Sequence, residues 1–357
     1  MGATPTAAPP LDIEVPAELV ADRPAEALGR RRDHVRMLVA RRATGQLTHA
    51  RAIDLPLFLE RGDVLVVNRS PTLPAAVPSS DGSLVVHLST HLGAGRWVVE
   101  VREPCGAGTR PHRVDHPQTV PLAGGAVVRL RHARSPVTSG GAARLWVADV
   151  LTPVPLPTWL AREGRPIRYG CASTAWPIEA YQTIFATRPW TDPGHGSAEM
   201  PSAARPFTRE LVRELVTAGV VLAPITLHTG VSSLESHEAP YAERFRVPVS
   251  TARRVNEAHA TGHRVIAVGT TAARALETDA RHGTAHPGDG WTELVITPHR
   301  GVQVVDGIIS GWHEPEASHL QLMEAVAGRA LLEASYGSAL TMRYRWHEFG
   351  DLHLVLP

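Results

Sequence analysis

No lysine occurs in the 357 residues, so all 36 side chains of the Lys+Arg class are arginines. Beside 30 Gly, 30 Pro and abundant Ala, this bias reflects a GC-rich genome and not a functional choice of arginine. Cysteine is almost absent. Cys105 and Cys171 lie far apart in the chain, which excludes a disulfide framework and a Cys-rich zinc site. It also fits a reducing cytosol, so a cytoplasmic location is expected. Excess charge of one sign is missing too: the net charge is +1 at pH 7. No global basic field surrounds the molecule, although a local patch would suffice for RNA. No apolar run approaches the ~20 residues that span a bilayer, so no membrane partner is expected. Residues 1–10 lack a basic region followed by an apolar one and read as a disordered lead-in, not a secretory signal. Gly-rich phosphate loops, G-x-S-x-G and H-E-x-x-H are all absent.

What is present is an ordinary globular composition, 43% hydrophobic. At roughly 150 residues per domain the length predicts two domains. Strands are expected at 35–40 and at 64–68, the latter ending in Asn68. From 75 to 150 short apolar runs (84–88, 97–101, 126–130, 145–150) alternate with Gly, Pro and Ser clusters, the pattern of a small β-barrel or sandwich. Its histidines, His87, His91, His112, His116 and His132, match no metal spacing and read as surface residues. Further on, helices are expected at 180–186, 207–218 (Thr208 at its start, Gly219 closing it), 249–260 and 316–334. Strands are expected at 220–227, 265–268, 294–297, 302–305, 308–312 and 352–356. The expected fold class is α/β. A mostly parallel sheet domain (11–74 and 151–357) carries an inserted small β-barrel domain (75–150), with 1–10 as lead-in.

Residues 264–277, R-V-I-A-V-G-T-T-A-A-R-A-L-E, carry the clearest site signal. A short apolar run, a glycine, two hydroxyl residues and a helical pattern are how a buried parallel strand passes into a helix. Thr270 or Thr271 is placed to cap that helix, whose N-terminus offers free N–H groups. His228-Thr229-Gly230 ends another strand in the same way. Ligands in such sheets sit at the carboxyl ends of strands, so the two ends together point to a site. The stretch His313-Glu314-Pro315-Glu316-Ala317-Ser318-His319 looks metal-like, but Pro315 interrupts the helix that such ligands would need, and no metal is expected.

Several of these stretches resemble one family, in order and spacing, from about residue 11 to the C-terminus. They are Gly62-Asp63 with the run to Asn68 and Pro74-Ala75, then Tyr181-Gln182-Thr183, and Thr226-Leu227-His228 with Gly230. Residues 264–277, Val304-Val305-Asp306, His313 with Pro315-Glu316, Tyr344-Arg345 and Gly350-Asp351 complete the set. The chain is similar to the S-adenosylmethionine:tRNA ribosyltransferase-isomerases of queuosine biosynthesis. The resemblance implies an α/β domain with an inserted β-barrel. It also implies transfer of the ribosyl part of S-adenosylmethionine to 7-aminomethyl-7-deazaguanine in tRNA, giving epoxyqueuosine with release of adenine and methionine. S-adenosylmethionine is then a substrate, tRNA the partner, and no cofactor is needed. A monomer is expected.

Such chemistry needs a base for the carbon beside the sulfonium, donors for the departing adenine, and groups that hold the ribose and methionine. His228 is the candidate base and His313 a second acid/base. Thr270 and Thr271 are candidates for the ribose hydroxyls or the methionine carboxylate. Arg274 is a carboxylate partner on this reading, or else pairs with Glu277 or Asp279. Glu243 and Glu316 are candidates for the methionine ammonium or the acceptor amine. Asn68, Tyr181, Gln182, Thr183, Ser202, Thr229, Gly230 and Gly269 complete the expected substrate-binding set.

The chain also departs from the family pattern. A-P-T-A-G-L-H-F is here Met200-Pro201-Ser202-Ala203-Ala204-Arg205-Pro206-Phe207. After Asn68 an amide or acid, Thr and a basic residue are replaced by Arg69-Ser70-Pro71, and the Arg after Pro-Ala is Ala76. H-S-E-Y becomes Tyr241-Ala242-Glu243-Arg244, and F-F-S-Y-G-D becomes Trp346-His347-Glu348-Phe349-Gly350-Asp351. The lost basic positions at Pro71 and Ala76 favour a paralogue with a small-molecule acceptor, or a lyase; full-length similarity favours the tRNA enzyme. A catalytically inactive binding protein on the same fold is the third reading.

Overall fold

The computed structural model describes residues 11, 13–134, 143–187, 196–231, 241–313 and 318–357. In its first half the strands are β1 (Arg36–Arg41), β2 (Leu47–Arg51), β3 (Val64–Asn68), β4 (Ala76–Pro78), β5 (Val85–Gly93), β6 (Arg96–Cys105), β7 (Gly108–Pro111), β8 (Thr119–Pro121), β9 (Val127–Ala133) and β10 (Leu145–Leu151). In the second half they are β11 (Val221–His228), β12 (Glu243–Val247), β13 (Val265–Val268), β14 (Gly288–Thr292), β15 (Gly307–Gly311) and β16 (Leu352–Leu356). The helices are α1 (Leu156–Glu163), α2 (Arg209–Ala218), α3 (Val249–Ala260), α4 (Thr270–Thr278), α5 (Ser318–Ala327) and α6 (Arg329–Thr341).

Nine strands form one sheet in the order β14-β12-β11-β3-β13-β15-β16-β1-β2. Its central strands β11, β3, β13 and β15 are parallel. They are near-continuous apolar runs because both faces are covered. Successive side chains divide between two cores, as the period of a strand requires. Val64, Val66 and Ala267 pack with α3, α4, α5 and α6; Leu65, Val67, Ile266 and Val268 pack with α2. Outside this centre the sheet is not parallel. β12 and β14 join antiparallel, as does β2 to β1, and β16 runs antiparallel to β15 but parallel to β1. The fold is therefore mixed α/β, and the expected mostly parallel sheet describes its centre only.

The second sheet has the order β4-β5-β6-β10-β9-β8, with β7 against β6, and every pairing is antiparallel. It curls until a bridge between Ser79 and Leu122 brings its two edges together. Alternate residues such as Val86, Leu88, Val99, Val128 and Trp146 fill its own core. His87 is fully buried in it, 3.6 Å from Glu100, which corrects the expected surface position. The sequence showed no partner for it because Glu100 lies on the neighbouring strand.

Six further expectations are corrected. Residues 180–186 are not a helix: only the 3-10 turn Ile178–Tyr181 forms, and it begins after Pro177. Residues 294–297 and 302–305 are not strands. In the second stretch the buried Glu277 carboxylate accepts the N–H groups of Gln303, Val304 and Val305, so those donors do not seek a neighbouring strand. The long helix at 316–334 is two helices, α5 and α6, separated at Gly328 with φ +78°. Neither Thr270 nor Thr271 caps α4; its N-cap is Gly269, without a side-chain hydrogen bond. Finally, Cys105 and Cys171 are joined in a disulfide, with Cα atoms 4.6 Å apart. Their sequence separation of 66 hides the contact. Residues 168–172 run beside β7: Thr109 N–H donates to Arg168 O at 3.0 Å, Gly170 N–H to Thr109 O at 2.8 Å, and Ala107 N–H to Ala172 O at 2.7 Å. Gly108 permits this approach, since a Cβ there would stand 2.3 Å from Gly170 O.

Candidate functional site

Because β11, β3, β13 and β15 run parallel, Asn68, His228, Gly269 and Gly311 all fall at one edge of the sheet. That edge is where an α/β sheet binds ligands. Asn68 is fully buried there and joins two strand ends. Its Oδ1 accepts from Ser70 N–H at 3.0 Å and Leu227 N–H at 3.1 Å; its Nδ2 donates to Leu227 O at 2.9 Å and Thr271 Oγ1 at 3.4 Å. The amide is thus committed within the protein and fixes what surrounds it. Ser70, positioned this way, sets its Oγ 2.7 Å from His228 Nδ1 and 2.8 Å from Ser197 Oγ. Ser197 Oγ accepts in turn from Thr229 N–H at 3.0 Å, and Thr229 Oγ1 donates to Glu199 O at 2.8 Å. His228 is buried to 9% exposure, with its Nδ1 held by Ser70.

Gly230 N–H donates to Glu243 Oε1 at 3.0 Å. The other oxygen of Glu243 is ion-paired with Arg274 Nη1, and Arg274 Nε donates to Leu294 O at 3.0 Å. Arg274 therefore pairs with neither Glu277 nor Asp279 in this way, and its buried Nη2 has no acceptor among the described residues. Pairing sets the geometry of two buried charges that would be costly alone. Between them and β3 lies the uncapped start of α4, with Thr270 buried and Thr271 half-buried. The second sheet walls this end: Val231 N–H donates to Ser89 Oγ at 3.0 Å, and a Cβ on Gly230 would stand 2.7 Å from the same oxygen.

His313 follows β15. Its Nε2 lies 2.7 Å from Ser310 Oγ, and its ring stacks on His319 at 4.7 Å. Burial, and then the neighbouring histidines, hold His313 well below the usual histidine range, so it is neutral at pH 7. Burial and then Arg274 push His319 down to about 4. Ser202 starts a 3-10 turn, Ser202–Ala204, laid over the strand ends; its Oγ lies 4.0 Å from where a Cβ on Gly311 would be. Glu316 lies outside the described residues.

Tyr181, Gln182 and Thr183 stand to one side of this edge. The Gln182 amide clamps the Thr72 backbone, accepting from Thr72 N–H at 3.2 Å and donating to Thr72 O at 2.7 Å. The Tyr181 ring packs on Phe349 at 5.2 Å. Tyr181 Oη and Thr183 Oγ1 are buried without a partner among the described residues. Several polar groups here went unnoticed in the sequence. Ser70 contacts the predicted His228 across 158 positions, Ser197 reaches Ser70 across 127 and the predicted Thr229 across 32, and His319 reaches His313 over a break in the helical pattern. Glu199 accepts from Tyr169 Oη at 2.6 Å, and burial together with Glu199 pushes Glu348 up to about 8. The one sequence signal for these residues was that Ser70, Glu199 and Glu348 fall inside or beside departures from the resembled pattern.

The chain matches, over residues 10–355, the family model described as Queuosine biosynthesis protein. The S-adenosylmethionine:tRNA ribosyltransferase-isomerase of Carboxydothermus hydrogenoformans is 32% identical over 355 residues, covering 97% of this chain and 98% of the relative. That of Heliobacterium modesticaldum is 33% identical over 372 residues with the same coverage, 97% and 98%. The crystal structure of S-adenosylmethionine tRNA ribosyltransferase from Thermotoga maritima is similar with a TM-score of 0.53 and 26% identity, over 97% of this chain and 99% of that one.

Proposed function

The chain belongs to the queuosine biosynthesis protein family, and we propose that it is an S-adenosylmethionine:tRNA ribosyltransferase-isomerase. It moves the ribosyl part of S-adenosylmethionine to the aminomethyl group of 7-aminomethyl-7-deazaguanine in tRNA, giving epoxyqueuosine, adenine and methionine. The observation that carries this reading is the relationship to proteins of that name over 97% of the chain. The sulfonium acidifies the adjoining carbon, and His228, held through Ser70, is the base that takes its proton. The unpaired Nη2 of Arg274 and the open N-terminus of α4 supply donors for the methionine carboxylate and the ribose hydroxyls. Glu243, already bound to Arg274, faces the ammonium; neutral His313 is the second acid/base. Thr229, Gly230, Ser202, Gly269, Thr270 and Thr271 line the donor pocket, while Asn68, Tyr181, Gln182 and Thr183 form its wall toward the acceptor. The curled second sheet is a β-barrel domain, residues 75–150, inserted between 11–74 and 151–357. The enzyme works as a monomer in the cytoplasm, where tRNA is found.

The test is to incubate the purified protein with S-adenosylmethionine and tRNA carrying the aminomethyl base. Epoxyqueuosine and adenine should form together, and His228→Ala should slow both by well over ~100-fold. Absence of epoxyqueuosine with the wild-type protein would remove the function, and a near-normal rate in the variant would remove the role of His228.

A further inference from the structure

A cavity of about 1140 Å³ lies beside the strand-end site, between α1, residues 164–168 and residues 175–182. Arg162, Arg165 and Arg168 line it, with Trp176 and Tyr181 on the same walls. Arg162 and Arg165 are exposed and make no ion pair among the described residues. The Arg168 guanidinium donates to the carbonyl oxygens of Thr174 and Asp22, which orient it. The lining contains one carboxylate, the exposed Glu179. Glu163, between the arginines in sequence, turns away: its carboxyl group lies 2.8 Å from where a Cβ on Gly124 would be. In a chain of net charge +1 this is a local concentration of positive charge.

The position of Arg165 carries the argument further. Ala76 and Arg165 face each other in an antiparallel bridge, exchanging N–H···O bonds of 2.9 Å in both directions. Directly opposed residues in such a pair place their side chains on the same face. Gly164 makes the contact possible, since a Cβ there would stand 2.1 Å from Pro74 O. Ala76 is the position where the resembled pattern has an arginine. Arg165 thus lies beside that position in the backbone pairing, with its own side chain exposed. The inner end of the cavity is Tyr181-Gln182; Gln182 clamps Thr72, two residues from the Ser70 that holds His228.

We propose that Arg162, Arg165 and Arg168 form the phosphate-binding track along which the RNA acceptor enters the strand-end site, with Trp176 offering a face for stacking. This rests on the function proposed above. Guanidinium groups suit phosphodiesters because they pair two-pronged and stay charged at every working pH. Aromatic faces between them are the usual companion for unstacked bases.

The experiment measures binding of tRNA carrying the aminomethyl base as a function of salt, for wild type, Arg162→Ala/Arg165→Ala and Arg162→Lys/Arg165→Lys. Each phosphate contact on a single strand contributes about 0.7 to the slope of log K against log salt, so the alanine pair should lower the slope by about 1.4 and weaken binding roughly 10- to 30-fold at 0.1 M salt. The lysine pair should keep the slope. Turnover at saturating tRNA should stay within about twofold of wild type for both, since neither side chain belongs to the reacting site. An unchanged slope and affinity in the alanine pair, with wild type making epoxyqueuosine, would overturn the track and leave the function standing. A wild-type protein that makes no epoxyqueuosine would overturn the function first. Equal loss of affinity in the lysine and alanine pairs would point to packing and not charge, and would also overturn the track.

Discussion

The ring of His228, the base in the function proposed, is oriented by a hydroxyl that the sequence does not put near it. His228 and Gly230 were legible because an apolar run ends abruptly in polar and small residues. Ser70 and Ser197 were not, because their contacts are set by where three separate loops cross. Asn68 was legible as a polar strand end, but its side chain is wholly engaged with Ser70, Leu227 and Thr271. Glu348 gives a prediction at this scale. Burial and Glu199 push it from 4.5 up to about 8, so the folded protein keeps a proton that the unfolded chain has already lost. Stability then falls as pH rises from about 4.5 to about 8. Glu348→Gln should flatten the thermal midpoint across that range; a variant whose midpoint falls as steeply as wild type would show that Glu348 is ionised throughout.

At the level of elements, the turn between β13 and α4 was the best-read part of the chain, except that glycine, and not threonine, begins the helix. Gly269 has φ +93° and ψ +154°, a region occupied almost only by glycine. Gly269→Ala should therefore cost about 1–3 kcal/mol, read as a lower chemical-denaturation midpoint at unchanged slope. No loss would mean that the turn relaxes into another conformation. The same element shows why periodicity ran out further on. The apolar pattern at 302–305 resembles a strand, but the donors of that stretch are taken by Glu277 from inside α4. Likewise the pattern across 316–334 is continuous in sequence, while Gly328 turns the backbone between two helices.

For the molecule as a whole, the central parallel strands could be read from their apolar runs, but the direction of the outer strands could not. β16, from the end of the chain, pairs parallel with β1 from its beginning and antiparallel with β15, and nothing in a local pattern specifies that return. The disulfide was equally invisible, and it has a topological consequence. Cys105–Cys171 closes a covalent ring that runs from the end of β6 through β7, β8, β9, β10 and α1. A single tryptic cut after the exposed Arg134 falls inside that ring. The two pieces should run as one band on a gel without reductant and as two bands with it. Two bands under both conditions would show that the thiols are unpaired in the purified protein. Since Cys171 is exposed, the thiol pool around the molecule decides whether the ring is open or closed, and so whether a nicked chain stays one body or parts into two.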